Sequence, residues 1–173
     1  MSTQDIRLFG DPVLTQRARE VTEVDGALAR LSSAMVDTMY AAPGAGLAAP
    51  QVGVQRRMFV YDIGDGPQTI VNPEVVETRD TWTFEEGCLS VPGVFFDIER
   101  PKVVTITGLD LDGREIVLEG DELLGRVFLH EMDHLDGVLL FDRLEPDRRK
   151  VALRELREQV MVPRAPSDAH GVL

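Results

Sequence analysis

The sequence predicts an α+β fold: a single domain with mainly antiparallel sheets around one central helix, plus an N-terminal and a C-terminal helix. The chain has 173 residues, of which 43% are hydrophobic, and this suits one hydrophobic core but not two. Helical patterns stand at both ends of a strand-rich centre, without the regular strand–helix alternation of a parallel sheet. We expect residues 1–163 to form the domain and residues 164–173 to form a flexible tail.

The first helix is predicted over residues 26–41, with Asp25 as its N-cap. Four apolar residues recur there at helical spacing, which indicates a face packed on the core: Leu28, Leu31, Met35 and Met39. A Pro- and Gly-containing segment, residues 42–46, then ends the helix. Short strands are predicted next, over residues 58–63 and over residues 69–71, where Asn72-Pro73 ends the second one.

Two further strands are predicted over residues 103–107 and 115–118. They flank Asp112-Gly113, a strong signal for a β-hairpin turn. The central helix is predicted over residues 121–135, with Gly137 marking its end.

The last helix is predicted over residues 146–160 and has two different sides. Its apolar side should pack on the domain and consists of Ala152, Leu153, Leu156 and Val160. Its basic side carries Lys150, Arg154 and Arg157, which project together because they recur at i, i+4 and i+7. Exposed basic helices are common, so a solvated face is an equally good interpretation of this pattern.

The formal net charge is -12, from 30 acidic and 18 basic residues. Such a surface repels nucleic acid and anionic membranes over most of its area, so we expect no DNA and no membrane among the partners. The charge is uneven, however. Residues 148–164 contain six basic and two acidic residues, a net of +4, which leaves -12 - 4 = -16 for the remainder.

The sequence gives no sign of export or of a membrane span. No apolar run approaches the roughly 20 residues that cross a bilayer. Residues 1–8 lack the charged start and apolar stretch of a secretory signal. The single cysteine, Cys88, excludes an intramolecular disulfide and fits a reducing compartment. We therefore expect the chain to be cytoplasmic.

The sequence His130-Glu131-Met132-Asp133-His134 carries the strongest chemical signal. Helix positions four apart lie only about 40° apart around the axis, so both imidazoles can hold one metal ion. Glu131 lies on the same side, where it can contact a water on the metal instead of the metal itself. Two ordinary surface histidines would explain the spacing too, but the chain has only three histidines and the flanking residues are apolar. We therefore predict a metal site.

A catalytic metal site needs a third protein ligand and one open position. The candidates downstream are Asp142 and Glu145, which follow the helix closely, and His170, which lies in the tail. Cys88 is the better candidate, because the preceding Gly87 lets the backbone approach an ion closely. The alternative for a lone cysteine is a small buried hydrophobic residue.

At this point three segments together resemble the peptide deformylase family. They are residues 44–51 (GAGLAAPQ), residues 86–90 (EGCLS) and residues 130–134 (HEMDH). They occur in the family's order, and the similarity extends over most of the chain, from about residue 6 to about residue 144. Each segment alone would be moderate evidence, whereas the three together leave little room for coincidence.

The resemblance assigns a role to each site residue. The metal ligands are expected to be Cys88, His130 and His134, and the catalytic residues Glu131, Gln51 and Leu89. Glu131 is the general acid and base, while the Gln51 side-chain amide and the Leu89 backbone N–H donate to the oxyanion. The substrate-binding residues are expected to be Gly46, Gly87 and Arg100, with Phe84 and Val127 lining an apolar methionine pocket.

The resemblance also implies the reaction. It is removal of the N-formyl group from the N-terminal formylmethionine of newly synthesised proteins, with release of formate, as metal-bound hydroxide attacks the formyl carbon. The family typically uses Fe2+ in the cell, and a thiolate with two imidazoles suits Zn2+, Ni2+ or Co2+ as well. The expected partners are the formylmethionyl nascent polypeptide and the ribosome surface, through the basic C-terminal helix.

Two other functions remain as alternatives. A zinc endopeptidase built on the same H-E-x-x-H helix would cleave unformylated peptides and take a third ligand other than Cys88. A non-catalytic, ribosome-associated relative would be expected to lose Glu131, Gln51 or a metal ligand, and the sequence retains them all.

Overall fold

The computed structural model describes residues 3–160. The expected domain boundary at residue 163 and the expected tail, residues 164–173, lie outside the described residues. Three α-helices are present in the described part of the chain: α1 (Gly26–Ala41), α2 (Leu123–Leu135) and α3 (Pro146–Val160). No helix in residues 3–160 has the length and apolar character that a membrane span requires.

Within residues 3–160, the strands form one five-stranded antiparallel sheet in the order β1-β2-β3-β4-β5. Their bounds are β1 Gly46–Ala48, β2 Met58–Tyr61, β3 Gln68–Cys88, β4 Val91–Leu109 and β5 Glu115–Asp121. Short 3-10 turns lie at Pro12–Thr15, Ala49–Val52 and Leu140–Arg143. The α+β class and the antiparallel sheet are therefore confirmed.

Strand β2 explains how the sheet carries a helix on each face. Successive side chains of a strand point to opposite faces. Accordingly, Phe59 and Tyr61 pack in the core beneath α2, whereas Met58 and Val60 pack with residues of α1. The sheet thus separates two apolar layers, and the metal-site helix α2 lies against one of them.

The three predicted helices are confirmed, but α2 begins at Leu123 and not at residue 121, because Asp121 is the last residue of β5. Asp25 caps α1, since its side chain accepts a hydrogen bond from the Leu28 N–H at 2.8 Å. Helix α2 is followed by Gly137 in the left-handed conformation, φ 73°. On α3, Ala152 and Leu156 are buried as predicted, while Val160 is a residue whose side chain is not described.

The prediction that Asn72-Pro73 ends a strand is wrong. Asn72 adopts a positive φ of 50°, and the register shifts between Val71 and Glu74, but β3 continues to Cys88. The irregularity is a bulge, which bends a strand without ending it. The Asn72 side chain also bonds the Val21 backbone N–H and C=O, both at 2.8 Å, so the bulge fixes the N-terminal segment.

The turn end of the β3–β4 hairpin carries Cys88, the third expected metal ligand. In a third apolar cluster, Cys88 and Val91 of the hairpin pack with Phe141 of the Leu140–Arg143 turn and Leu156 of α3. The hairpin turn that Asp112-Gly113 predicted joins β4 to β5, with Gly113 at φ 77°. Folding of the long β3–β4 hairpin therefore brings Cys88 to the surface of α2.

Candidate metal centre

Cys88, at the end of β3, meets His130 and His134 of α2. All three are at most 2% exposed, and their potential ligand atoms lie within 4.8 Å of one another. The Cys88 Sγ is 3.2 Å from the His134 Nε2. The structure thus brings together two residues of one helical turn and one residue about 40 positions earlier in the chain.

The atoms at this centre fit a divalent metal ion. Within residues 3–160, the His130 Nε2 and both Glu131 carboxylate oxygens are buried and have no hydrogen-bond partner. Buried polar atoms without a partner are rare in proteins and call for a ligand or a water molecule. One sulfur and two imidazole nitrogens are the donor set that suits Fe, Co, Ni or Zn and not Mg or Ca.

Without a metal, the environment favours a neutral thiol at Cys88 and a neutral imidazole at His134, and only the second is ready to bind a cation. Burial raises the pKa of the Cys88 thiol to about 12, and the negative charges of Glu131 and Glu86 act in the same direction. Burial, with the neighbouring His130, holds the pKa of His134 well below its ordinary value, so its imidazole is neutral and keeps a lone pair. A coordinated divalent ion reverses the effect on the thiol, since a coordinating thiol is deprotonated outright.

Glu131 lies at the centre, against the backbone of β1. It is fully buried, and burial raises its pKa well above the ordinary value, with contributions from the charges of Glu86 and Asp133. A Cβ atom at Gly46 would come within 2.4 Å of the Glu131 Oε1. Gly46 is therefore required to be glycine if Glu131 is to keep this position.

Gln51 faces the same centre from the 3-10 turn after β1. Its Oε1 accepts a hydrogen bond from the Ala48 N–H at 2.8 Å, which fixes the orientation of the amide. Its Nε2 then lies 3.2 Å from the Ser90 Oγ and 3.8 Å from the Cys88 Sγ. The amide N–H groups are thus directed to the cysteine side of the centre, next to Leu89.

Gly87 lies in the third register shift of the hairpin, between the pairs Glu86↔Phe96 and Cys88↔Val91. Bulges next to active sites often redirect a side chain. Here the ring of Phe95 covers Gly87, because a Cβ at Gly87 would come within 2.5 Å of the Phe95 Cε1. Phe95 is itself 37% exposed, so its ring lies between Gly87 and the solvent.

The structure places Arg100, the residue expected beside the substrate, behind the ligand histidines, and its part in substrate binding stays a prediction. Arg100 is 6% exposed, and its guanidinium bonds Glu86 at 2.7 and 3.0 Å and Asp133 at 2.7 Å. All its nitrogens are therefore engaged behind the ligand histidines. The reason is its register opposite Trp82 on the hairpin, which turns the side chain into the protein.

A buried ionic network behind the histidines was missed in the sequence. Glu86 is fully buried and accepts hydrogen bonds from Arg100 and Arg126, while its Oε2 lies 3.1 Å from the His130 Nδ1. Burial opposes its ionisation, but the bonds with His130 and Arg100 outweigh this and hold its pKa well below the ordinary value. Asp133, one residue before His134, pairs with Arg100 and Arg143.

The two residues expected to line a methionine pocket differ in their surroundings. Val127 lies on α2 and is fully buried in the core. Phe84 is partly buried and packs on Trp82, with ring centroids 4.8 Å apart. Their part in substrate binding stays a prediction.

The chain is similar to known proteins over most of its length. The family model described as polypeptide deformylase matches residues 3–150. The peptide deformylase of Acidothermus cellulolyticus is 46% identical over 158 residues, which cover 91% of this chain and 88% of that protein.

Two solved structures are similar over most of their length. The crystal structure of a peptide deformylase from Legionella pneumophila matches with a TM-score of 0.86 and 40% identity, over 94% of this chain and 100% of that chain. A peptide deformylase from Synechococcus elongatus, solved in complex with actinonin, matches with a TM-score of 0.84 and 42% identity, over 89% of this chain and 86% of that chain.

Proposed function

The chain belongs to the peptide deformylase family, and from this premise we propose that it removes the formyl group from N-terminal formylmethionine of newly made proteins, through the centre at Cys88, His130 and His134. The observation that carries the proposal is the convergence of these three residues beside a buried carboxylate, Glu131, that lacks a partner within residues 3–160. The reaction is hydrolysis: water adds across the formyl C–N bond and gives formate and a free amine.

Cys88, His130 and His134 would hold the metal, and we propose Fe2+ as the ion in the cell. When bound, a divalent ion supplies Lewis acidity, which polarises a carbonyl and lowers the pKa of water to about neutral. The ligand set admits Zn2+, Ni2+ and Co2+ as well. We place the reaction in the cytoplasm, where formylated chains are made.

Glu131 moves the proton. Its carboxylate takes a proton from the attacking water as the oxygen bonds to the formyl carbon, and it then delivers this proton to the departing amine nitrogen. Burial favours the protonated form of Glu131, which makes the carboxylate a stronger base than an exposed glutamate. A buried position also keeps bulk water away from the transferred proton.

Gln51 and the Leu89 backbone N–H stabilise the negative charge that grows on the formyl oxygen. The Ala48–Gln51 hydrogen bond supports this role, because it fixes the amide before the substrate arrives. Fixed donors are effective because they need no reorganisation in the transition state, and one such donor is typically worth about 10²–10³ in kcat. Gly46 and Gly87 are proposed to offer backbone groups to the substrate chain.

Replacing Gly46 by alanine is expected to lower kcat by about 100-fold or more, since the new Cβ would displace Glu131, and a displacement of about 1 Å can cost this much. Metal content should stay near that of the parent, because Glu131 is not a ligand. The matched control is Gly26→Ala, where the nearest atom to the new Cβ would be 3.5 Å away. Equal rates for both variants and the parent would refute the proposed position of Glu131.

The choice between a deformylase and a zinc endopeptidase is tested with three peptides of one sequence: formylated, acetylated and with a free N-terminus. A deformylase releases formate from the first and leaves all internal peptide bonds intact. An endopeptidase cleaves an internal bond irrespective of the N-terminal group. Internal cleavage without formate release would overturn the proposal. The retained Glu131, Gln51 and ligands argue against a non-catalytic relative.

We further propose that the basic side of α3 brings the enzyme to the ribosome, whose surface is rich in RNA phosphate. Lys150, Arg154 and Arg157 are all exposed, while Ala152 and Leu156 on the other side are buried. A chain of net charge -12 needs such a region to approach phosphate. Binding should weaken steeply with salt, because each phosphate contact releases counterions.

The double variant Arg154→Glu with Arg157→Glu is expected to weaken ribosome binding at low salt and to leave the rate on a free formyl-methionyl peptide unchanged. The control is Arg17→Glu with Arg114→Glu, the same change of charge at side chains that are 72% and 75% exposed. If both double variants bind the ribosome as the parent does, the basic side of α3 is merely a solvated face. A cosedimentation assay over a salt series gives the answer.

A further inference from the structure

Arg126 is a fully buried arginine on the helix that carries both histidine ligands. It lies one turn before His130, so the two side chains project from the same face of α2. One terminal nitrogen, Nη1, donates to the Glu86 Oε1 at 2.6 Å and to the Ile98 C=O at 3.0 Å, and the other, Nη2, donates to the Trp82 C=O at 2.5 Å. Arg126 thereby connects α2 to both strands of the long hairpin.

The carboxylate of Glu86 is shared between two arginines and one ligand histidine. Arg100 contacts both of its oxygens, at 2.7 and 3.0 Å, and Arg126 adds a second bond to Oε1. The other oxygen, Oε2, is thereby turned to the His130 Nδ1, 3.1 Å away. A histidine that donates its Nδ1–H to a carboxylate keeps its Nε2 lone pair for a metal.

Stability alone is a poor explanation for this arginine. A buried ion pair often contributes no more to stability than apolar residues of the same volume. In addition, the Arg126 Nε has no partner within residues 3–160, and an unpaired buried donor is destabilising. The guanidinium does lie over the Trp82 ring, 5.4 Å from its centroid, which fixes its plane.

We infer that Arg126 is a positioning residue for the metal centre: it holds Glu86 in the orientation that fixes His130, and it holds α2 at a set distance from the strand that supplies Cys88. The inference rests on the metal site of the proposed function. Two of the three ligands come from α2 and the third from β3, so the centre needs a rigid connection between these elements. Arg126 supplies one from the buried side of the helix.

The test is the rate at which cobalt-loaded protein loses its metal to an excess of chelator, followed by the visible absorption of Co2+. Arg126→Met keeps an unbranched apolar side chain that reaches to about the position of the Nε, and it removes all of the hydrogen bonds that the guanidinium makes. We expect metal loss to be about 10–100 times faster, which is the usual effect of removing a partner of a ligand histidine, and a changed Co2+ spectrum. The control is Arg79→Met, which removes an arginine of β3 that is 49% exposed and pairs with Glu119.

A double-mutant cycle separates positioning through Glu86 from a general structural effect. If Arg126 acts through Glu86, the variant Arg126→Met with Glu86→Gln loses metal no more than about threefold faster than the faster single variant. Rates that multiply in the double variant would overturn positioning through Glu86, and a parental rate for Arg126→Met would overturn the whole inference. If Arg126→Met does not fold, Arg126→Lys is used instead, because lysine keeps the charge but lacks the planar set of donors. A parental rate of metal loss in Arg126→Lys would also overturn the inference.

Failure of the inference and failure of the proposed function give different results. Formate release by the parent protein tests the proposed function, whereas the rate of metal loss needs no substrate. A parent that releases formate and an Arg126→Met variant that keeps its metal as long as the parent would leave the function standing and remove the role of Arg126.

Discussion

Replacing Glu131 by glutamine is expected to lower kcat by about 10²–10⁴, the range that general acid–base catalysis typically contributes, while the metal stays bound. Glutamine has the same shape as the protonated acid, which burial already favours at this position. The fold and the three ligands should therefore be retained. What is lost is the group that takes the proton from water and returns it to the amine.

The measurement is formate release together with metal content in one preparation, for the parent, Glu131→Gln and the control Glu119→Gln. The Glu119 side chain is 58% exposed and pairs with Arg79 on the outer surface of the sheet. Near-parental turnover in Glu131→Gln with full metal content would remove Glu131 from the mechanism. Loss of the metal along with activity would make it a ligand instead of a proton carrier.

Replacing Cys88 by serine is expected to weaken metal binding by about a hundredfold or more, beyond the 10–100-fold effect of losing an outer partner. A serine hydroxyl is a much poorer ligand than a thiolate for the metals that this donor set suits. The two side chains are close in size, so the cluster of apolar residues around position 88 should keep its packing. Activity should fall in proportion to the metal that is lost.

The measurement is the cobalt spectrum and the affinity for Co2+ of Cys88→Ser, with thermal unfolding of the metal-free protein as the test of folding. Glu145→Gln serves as the control, because Glu145 is an exposed carboxylate that follows α2 in the sequence and was a candidate for the third ligand. An unchanged cobalt spectrum in Cys88→Ser would show that another residue binds the metal. A changed cobalt spectrum in Glu145→Gln would identify Glu145 as that residue.

The helices and the ligand histidines could be predicted because their signals are local. Asp25 caps α1 three residues ahead of the N–H that it binds, and His130 and His134 share a face through helical geometry alone. The length of β3 could not be predicted in this way. Asn72-Pro73 is a common end of a strand, but here Asn72 bonds Val21, far away in sequence, and the strand continues beyond the bulge.

The residues behind the ligands were missed for the same reason. In the sequence alone, Arg126 is a charged residue of an amphipathic helix, and such a residue usually indicates the side of the helix that faces solvent. It is buried only because the hairpin brings Glu86 and two backbone carbonyl groups to it. The partners of Arg100 could not be predicted either, because its bonds with Glu86 and Asp133 depend on the pairing of β3 with β4 and on the docking of α2. Such contacts are fixed by tertiary register and leave no local pattern.

The most direct test of the central claim is metal content and formate release measured on the same anaerobically purified protein, before and after removal of the metal. We predict about one divalent ion per chain, formate release from a formyl-methionyl peptide in proportion to occupancy, loss of activity on chelation, and recovery when Fe2+ is returned. Formate release at the full rate from metal-free protein would contradict the account. So would fully loaded protein that releases no formate.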